Sequence, residues 1–155
     1  MNQSHEASVR LDPPAFAYSI VLLASLSHVS AWIAPWHDLS EKGCVIGYVY
    51  DGDTVELKCR GESVTARLQG FDAPETKSPG CASEAELGQR TTERLRELVT
   101  QGPLTLETVG EDKYGRLLAR MTLQERDVAD ILIEDGLAVT YSGGARINWC
   151  ERLGA

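Results

Sequence analysis

The strongest constraint on the fold is a run of three short strand patterns separated by tight turns. Residues 45–50 are rich in β-branched and aromatic side chains, and Asp51-Gly52-Asp53 then supplies residues typical of a hairpin turn. Apolar and polar residues alternate along 54–59 and again along 64–71, so each strand has one face for a core and one for solvent. The pattern therefore predicts a meander of three antiparallel strands.

The second half of the chain adds two helix patterns and two more strands. An apolar stripe from Leu87 to Leu98 predicts a helix, and Ser83-Glu84-Ala85-Glu86 reads as a capping box that opens it. Alternation predicts strands over 104–109 and 117–123, and residues 127–141 predict a short helix capped by its first aspartate and then an extended piece. This order of elements predicts a mainly β, α+β fold, of which a five-stranded OB-type barrel with attached helices is an example.

The N-terminal residues differ from the rest in composition. Residues 15–34 form an apolar run without a formal charge that is long enough to span a bilayer. Val29-Ser30-Ala31 within this run provides small residues at which a signal peptidase could cut. Residues 1–31 are therefore interpreted as a cleaved signal peptide or an uncleaved membrane anchor, with a buried core helix as the third possibility. The predicted organisation is completed by a linker over 32–43 and a domain over 44–155. We expect an exported protein that is periplasmic, secreted or membrane-anchored.

The four cysteines agree with export. They include no C-x-x-C pair, which argues against a zinc or redox motif, and an oxidising compartment would pair them. A hairpin turn at 51–53 brings Cys44 and Cys59 nearly opposite each other, which leaves Cys81 to bond Cys150. Four buried free thiols in a cytosolic protein are the alternative.

The charge balance limits the kinds of partner. The chain has 15 basic and 23 acidic residues, a net charge of −8. Proteins that bind nucleic acids tightly and without specificity are usually basic, because phosphate contacts dominate their affinity. The balance therefore counts against such a binder, but an enzyme needs positive charge only at the reacting phosphate.

Carboxylates and arginines are concentrated in three segments: 51–54, 67–75 and 112–116. The candidate site residues are three acids and two arginines: Asp53, Asp72, Glu75, Arg67 and Arg116. Oxygen donors without nearby His or Cys suit a hard divalent cation, and guanidinium forks suit phosphate oxygens. The acids carry −3 and the arginines +2, so a divalent cation is needed before the site attracts a phosphodiester.

These segments resemble the staphylococcal nuclease (thermonuclease) family. The resemblance runs from about residue 45 to 141 and rests on VYDGDTVEL (49–57), TARLQGFDAPETK (65–77), EDKYGRLLA (111–119) and ILIEDGLA (131–138). It implies a five-stranded OB barrel with attached helices that hydrolyses DNA, RNA or both with calcium, preferably as single strands. Nothing in the sequence requires a stable protein partner or more than a monomer.

The resemblance also implies roles for individual residues. Three residues are expected to hold calcium: Asp53, Asp72 and, through its backbone carbonyl, Ala73. Glu75 is expected to position or deprotonate the attacking water, and Arg67 and Arg116 to stabilise the pentacoordinate phosphate. The family often has threonine at position 73, so a hydroxyl contact is absent here.

Substrate contacts are implied less completely. Lys113 and Tyr114 match residues near the terminal phosphate, and Tyr141 is the counterpart of one of two tyrosines that pack around the nucleotide. Ser142-Gly143-Gly144 replaces the second, and the loop 77–83 is shorter and less basic than in the secreted type member. These differences predict a weaker hold on the nucleic acid.

Two interpretations without catalysis compete with the enzyme. An OB-type module that binds single strands would stack bases on exposed aromatics along a basic groove, and this chain has few aromatics and an acidic balance. A protein that uses calcium only for stability would leave Arg67 and Arg116 unexplained. The two arginines therefore favour the enzyme.

Overall fold

The structure is a computed structural model that describes residues 37–39 and 43–155. The predicted signal peptide or anchor and most of the predicted linker lie outside the described residues. Within them, no helix has the length and apolar character needed to cross a membrane.

The described part of the chain contains nine strands and three helices. Five strands are long, and they correspond to the five that the alternation predicts: β2 Cys44–Val49, β3 Thr54–Cys59, β4 Glu62–Leu68, β6 Leu104–Glu111 and β7 Leu117–Leu123. Four are short: β1 His37–Asp38, β5 Gly70–Asp72, β8 Arg126–Asp127 and β9 Val139–Tyr141. The helices are α1 Ala82–Leu98, α2 Val128–Glu134 and α3 Trp149–Arg152.

The five long strands and the short strand β1 form one mixed sheet in the order β1-β6-β7-β4-β3-β2, with β8 paired to β7. Strands β2, β3 and β4 are the predicted antiparallel meander, whereas β4 runs parallel to β7. The fold is thus mainly β, α+β and consistent with the predicted OB type. Among residues 37–39 and 43–155 no pairing joins β1 to β2, so the ladder does not close into a barrel there.

The predicted third strand is interrupted before its end. Gly70 has a φ of +98°, a conformation that favours glycine, and the chain turns there out of the main sheet. Phe71 and Asp72 then pair with Thr140 and Val139 in a separate two-stranded sheet of β5 and β9. The turn therefore brings a buried carboxylate to the end of the main sheet.

The core follows the predicted alternation. The sheet contributes Val55, Leu57, Ala66, Leu68, Ala119 and Met121, each at most 2% exposed, and the helices add Leu95, Leu98, Val128 and Leu132. These side chains form one continuous cluster, so α1 and α2 cover the apolar side of the strands.

The predicted capping box is wrong. Helix α1 begins at Ala82, its N-cap is Cys81 without a side-chain hydrogen bond, and Glu84 lies inside the first turn. The buried Glu84 carboxylate instead accepts hydrogen bonds from the backbone N–H groups of Glu75 (3.2 Å) and Gly80 (2.7 Å). Ser83 is therefore already helical and cannot act as the N-cap residue, and the Glu84 carboxylate holds the preceding loop over the start of the helix.

Both predicted disulfides are present. Cys44–Cys59 joins directly opposed residues of β2 and β3, and Cys81–Cys150 ties the start of α1 to α3. The predicted cap of α2 is confirmed as well, because the Asp127 carboxylate accepts from the Ala129 N–H at 2.9 Å.

Candidate active site

One cavity of about 580 Å³ collects most of the candidate residues. Its lining includes seven of the nine: Asp53, Arg67, Glu75, Lys113, Tyr114, Arg116 and Tyr141. The remaining two, Asp72 and Ala73, are 0% and 2% exposed and are hydrogen-bonded to residues of the lining. The structure therefore brings all nine together, including residues more than 80 positions apart in sequence.

The Asp51-Gly52-Asp53 turn packs tightly against its surroundings. A Cβ at Gly52 would lie 2.7 Å from the Thr91 side chain and 2.8 Å from that of Ala73, so only glycine fits. The Asp51 carboxylate accepts from the Asp53 N–H at 3.2 Å. The close approach turns Asp53 inward, where only 4% of the residue is exposed.

Arg67 bridges two buried carboxylates. Its Nη1 lies 2.5 Å from Asp53 Oδ2 and its Nη2 lies 3.3 Å from Asp72 Oδ1. Thr54 donates to the other oxygen of Asp53 at 2.9 Å. Burial nevertheless raises the pKa of Asp53 to about 7, against the opposing effect of Arg67. An additional cation beside Asp53 would therefore favour its charged form.

Arg116 is oriented by Asp112, which was not among the predicted site residues. Arg116 Nε lies 2.8 Å from Asp112 Oδ2, while Oδ1 accepts from the backbone N–H groups of Tyr114 (2.8 Å) and Arg116 (3.0 Å). Lys113 and Arg116 both lie over the Tyr114 ring, at 4.9 and 5.8 Å from its centroid. The Asp112 carboxylate thus fixes both the backbone of the turn 112–116 and the orientation of the Arg116 guanidinium.

Sequence reasoning missed Arg146, a third arginine at the site. Its Nε lies 2.5 Å from Asp72 Oδ1, its Nη2 donates to the Ala73 carbonyl at 2.8 Å, and its Nη1 pairs with Glu75 Oε1. The Trp149 indole N–H donates to the second Asp72 oxygen at 3.0 Å. In the sequence, only the predicted Cys81–Cys150 bond indicated that this segment returns to the middle of the chain.

Arg146 changes the charge of the site. It adds one positive charge, but Asp51, Asp112 and Lys113 also line the cavity. With the buried Asp72, the folded site contains five acidic and four basic side chains, so its net formal charge stays at −1 and the argument for a cation still holds.

The donor atoms themselves still suit calcium. Asp72 Oδ1, the Ala73 carbonyl and Glu75 Oε1 all contact the one Arg146 guanidinium, so these oxygens converge on a single positive group. The donors are all hard oxygens, and the neighbouring Asp53 carboxylate is linked to them through the Ala73 N–H at 3.4 Å. The site residues therefore fit a divalent cation.

Arginines beside carboxylates in one cavity are suited to binding a phosphate group. The family model described as "Staphylococcal nuclease homologue" matches residues 65–149, just over half of the chain. The chain belongs to the staphylococcal nuclease homologue family.

Several proteins named as endonucleases are similar to this chain. Endonuclease YncB of Bacillus subtilis (strain 168) is 40% identical over 91 residues, which cover 57% of this chain and 43% of the relative. SPbeta prophage-derived endonuclease YokF of the same organism is 40% identical over 91 residues, 57% and 30% of the two chains. An uncharacterized endonuclease of Haemophilus influenzae is 32% identical over 99 residues, 63% and 52%. The chain thus spans about half or less of the length of these relatives.

Proposed function

We propose that the protein is a calcium-dependent endonuclease that hydrolyses phosphodiester bonds of DNA, RNA or both. The observation that carries the proposal is the cavity in which Arg67, Arg116 and Glu75 face a common space above the buried Asp53 and Asp72. Membership of the nuclease family and the endonuclease names of the relatives support it.

The positions of the side chains support a role for each of them in the proposed reaction. Glu75 has 39% of its side chain exposed and can reach a water molecule in the cavity, from which it would accept a proton as the water oxygen bonds to phosphorus. Arg67 and Arg116 would donate hydrogen bonds to the equatorial oxygens while the bond to the leaving oxygen breaks. Calcium bound by Asp53, Asp72 and the Ala73 carbonyl would add positive charge at the phosphate and lower the pKa of the attacking water.

The substrate contacts favour single strands. Tyr114 is 72% exposed beside Lys113, so an unpaired base could stack on its ring while the ammonium group binds a phosphate. Tyr141 lines the same cavity, and its hydroxyl donates to the Gly144 carbonyl at 2.7 Å, which orients the ring. A duplex offers no unpaired base, which is why we infer the preference for single strands.

Export is part of the proposal. Two disulfides account for all the cysteines of the chain, and such bonds persist in oxidising compartments. The apolar run of residues 15–34 supplies the means of export, as a cleaved signal or as an anchor. We propose a monomer that acts in the periplasm, outside the cell or at the outer side of a membrane.

The test is hydrolysis of denatured DNA by the full chain, with calcium and with a chelator. We expect cleavage only with calcium, and losses of about 10² to 10³-fold or more in Glu75→Gln and in Arg116→Ala. Arg94→Ala is the matched control, because Arg94 pairs with Asp135 away from the cavity and should leave the rate unchanged. Wild-type rates in Glu75→Gln or Arg116→Ala would contradict the assignment, and binding without cleavage would favour the OB-type binding module.

A further inference from the structure

We propose that Arg146 is an internal competitor of the divalent cation, which occupies the cation position when no metal is bound and so sets the calcium affinity. The inference rests on the proposed function for the identity of the metal. It concerns a residue for which the nuclease mechanism above has no role.

Two of the three groups that Arg146 contacts are expected ligands of the metal. Its three guanidinium nitrogens each contact a different group: the Asp72 carboxylate, the Ala73 carbonyl and the Glu75 carboxylate. Asp72 and Ala73 are expected calcium ligands, and Glu75 is the expected base. The arginine thus neutralises the acids of the site in place of an ion.

The fold holds Arg146 in this position from both sides. On one side, β9 ends at Tyr141 and is paired with β5, the strand that contains Asp72. On the other, Trp149 is 4% exposed and donates to Asp72, and Cys150 is bonded to Cys81. The guanidinium is therefore placed by two anchors a few residues away rather than by an unattached tail.

The segment between the anchors can nevertheless change conformation. Gly143 and Gly144 have φ values of +108° and +95°, and a Cβ at either would meet no atom within 4 Å. The loop is consequently open and has backbone freedom that other residues lack. Arg146 can leave the carboxylates while β9 stays paired with β5 and Trp149 keeps its hydrogen bond to Asp72.

Arginine and calcium cannot share the site. Calcium needs six to eight oxygen ligands at about 2.3–2.6 Å, and the Arg146 nitrogens lie at hydrogen-bonding distance from the same oxygens. The two positive charges would also repel each other at this distance. Calcium therefore binds only after the charge-assisted hydrogen bonds of Arg146 are broken, which we expect to weaken its affinity roughly 10- to 100-fold.

The experiment is calorimetric titration of the full chain with calcium alone. We expect Arg146→Gln to bind calcium about 10- to 100-fold more tightly than the wild type. Arg152→Gln is the matched control, because it removes one charge from the same C-terminal segment, residues 142–155. Arg152 is exposed on α3, so its loss should change the affinity less than about twofold. Equal or weaker binding by Arg146→Gln, or no binding by either protein, would overturn the inference.

A further variant and a second measurement test the inference even if Arg146→Gln folds poorly. Arg146→Lys keeps one charge but has no planar fork, so it should show an affinity between those of the wild type and Arg146→Gln. The metal-free melting temperature should fall in Arg146→Gln, and the difference from the wild type should shrink with saturating calcium. An unchanged metal-free melting temperature would count against the competition.

The outcomes also separate this inference from the proposed nuclease activity. Tighter calcium binding by Arg146→Gln without cleavage by any variant would reject the activity and keep the competition. Calcium-dependent cleavage by the wild type, together with unchanged calcium affinity in Arg146→Gln, would reject the competition and keep the activity.

Discussion

Asp72 accepts hydrogen bonds from three side chains although none of its surface reaches solvent. Arg67 and Arg146 bind one carboxylate oxygen, and the Trp149 indole binds the other. A buried carboxylate is costly unless its oxygens are paired in this way, and charge-assisted bonds to arginine are the strongest available. The three donors come from β4 and from the C-terminal segment, so this residue links the main sheet to the end of the chain.

Asp112 is expected to act on the reaction through Arg116. Replacing it in Asp112→Ala removes the acceptor that holds the guanidinium and the turn, and misplacement of a catalytic group costs up to about 10²-fold in rate. We expect kcat on denatured DNA to fall while calcium affinity is unchanged. Asp112→Asn, which keeps one oxygen acceptor, should recover part of the rate.

The matched control for Asp112 is Asp135→Ala, which removes an exposed partner of Arg94. Such surface pairs contribute at most about 1 kcal/mol, so rate and stability should stay near wild type. If Asp112→Ala had the same rate as the control, Arg116 would keep its orientation without the Asp112 carboxylate.

At the scale of elements, α1 is the support for the site. Besides burying Leu95 and Leu98 in the core, it packs Thr91 against Gly52 of the hairpin turn. Thr91 Oγ1 also donates to the Leu137 carbonyl at 2.9 Å, two residues before β9. One helix face therefore holds both the turn that carries Asp53 and the approach to the C-terminal segment.

Gly88→Ala in α1 should destabilise the protein, although replacing glycine by alanine usually stabilises a helix. Alanine is better than glycine within a helix by about 1 kcal/mol. At Gly88, however, a Cβ would lie 2.9 Å from the carbonyl oxygens of both Pro74 and Glu75. Those backbone atoms cannot move aside as a flexible side chain could, so we expect Gly88→Ala to lose about 1–3 kcal/mol in urea unfolding.

The neighbouring exposed Gln89 provides the control for this helix prediction. Gln89→Ala should change the free energy of unfolding by less than about 0.5 kcal/mol. Stabilisation by Gly88→Ala would show that the loop carrying Glu75 does not rest on the helix as closely as these distances require.

At the scale of the whole molecule, the two disulfides close loops of very different length. Cys44 and Cys59 are 15 residues apart, whereas Cys81 and Cys150 are 69 apart. In the chain-entropy model these loops contribute about 3 and about 4.4 kcal/mol. Only the longer loop includes the C-terminal segment that reaches the site.

Removing the bonds separately should separate stability from metal affinity. Cys44→Ser/Cys59→Ser and Cys81→Ser/Cys150→Ser should both lower the urea midpoint, the second by more. Only the second should also bind calcium more tightly, because it releases one anchor of Arg146. Equal calcium affinity in the two double variants would show that the other anchors, β9 and Trp149, suffice to hold the arginine.

Much of the fold was predictable because its signals are local. Alternation along the chain identified β3, β7 and the buried stripe of α1, and Asp127 marked the start of α2. These patterns depend on neighbouring residues only, so no knowledge of the tertiary structure was needed. The charged motifs indicated five candidate residues and the family resemblance four more, and the folded chain collects all nine at one cavity.

Tertiary structure alone decided the contacts between distant segments. Arg146 lies 74 positions from Asp72, and no local pattern distinguishes it from a solvated surface arginine. The partners of Glu84 are nearer in sequence, but they too depend on the path of the loop, which folds back so that its N–H groups reach the Glu84 carboxylate. Periodicity specifies which face of an element is buried, but which charges meet depends on how the elements pack, and this packing brought a third arginine to the acids.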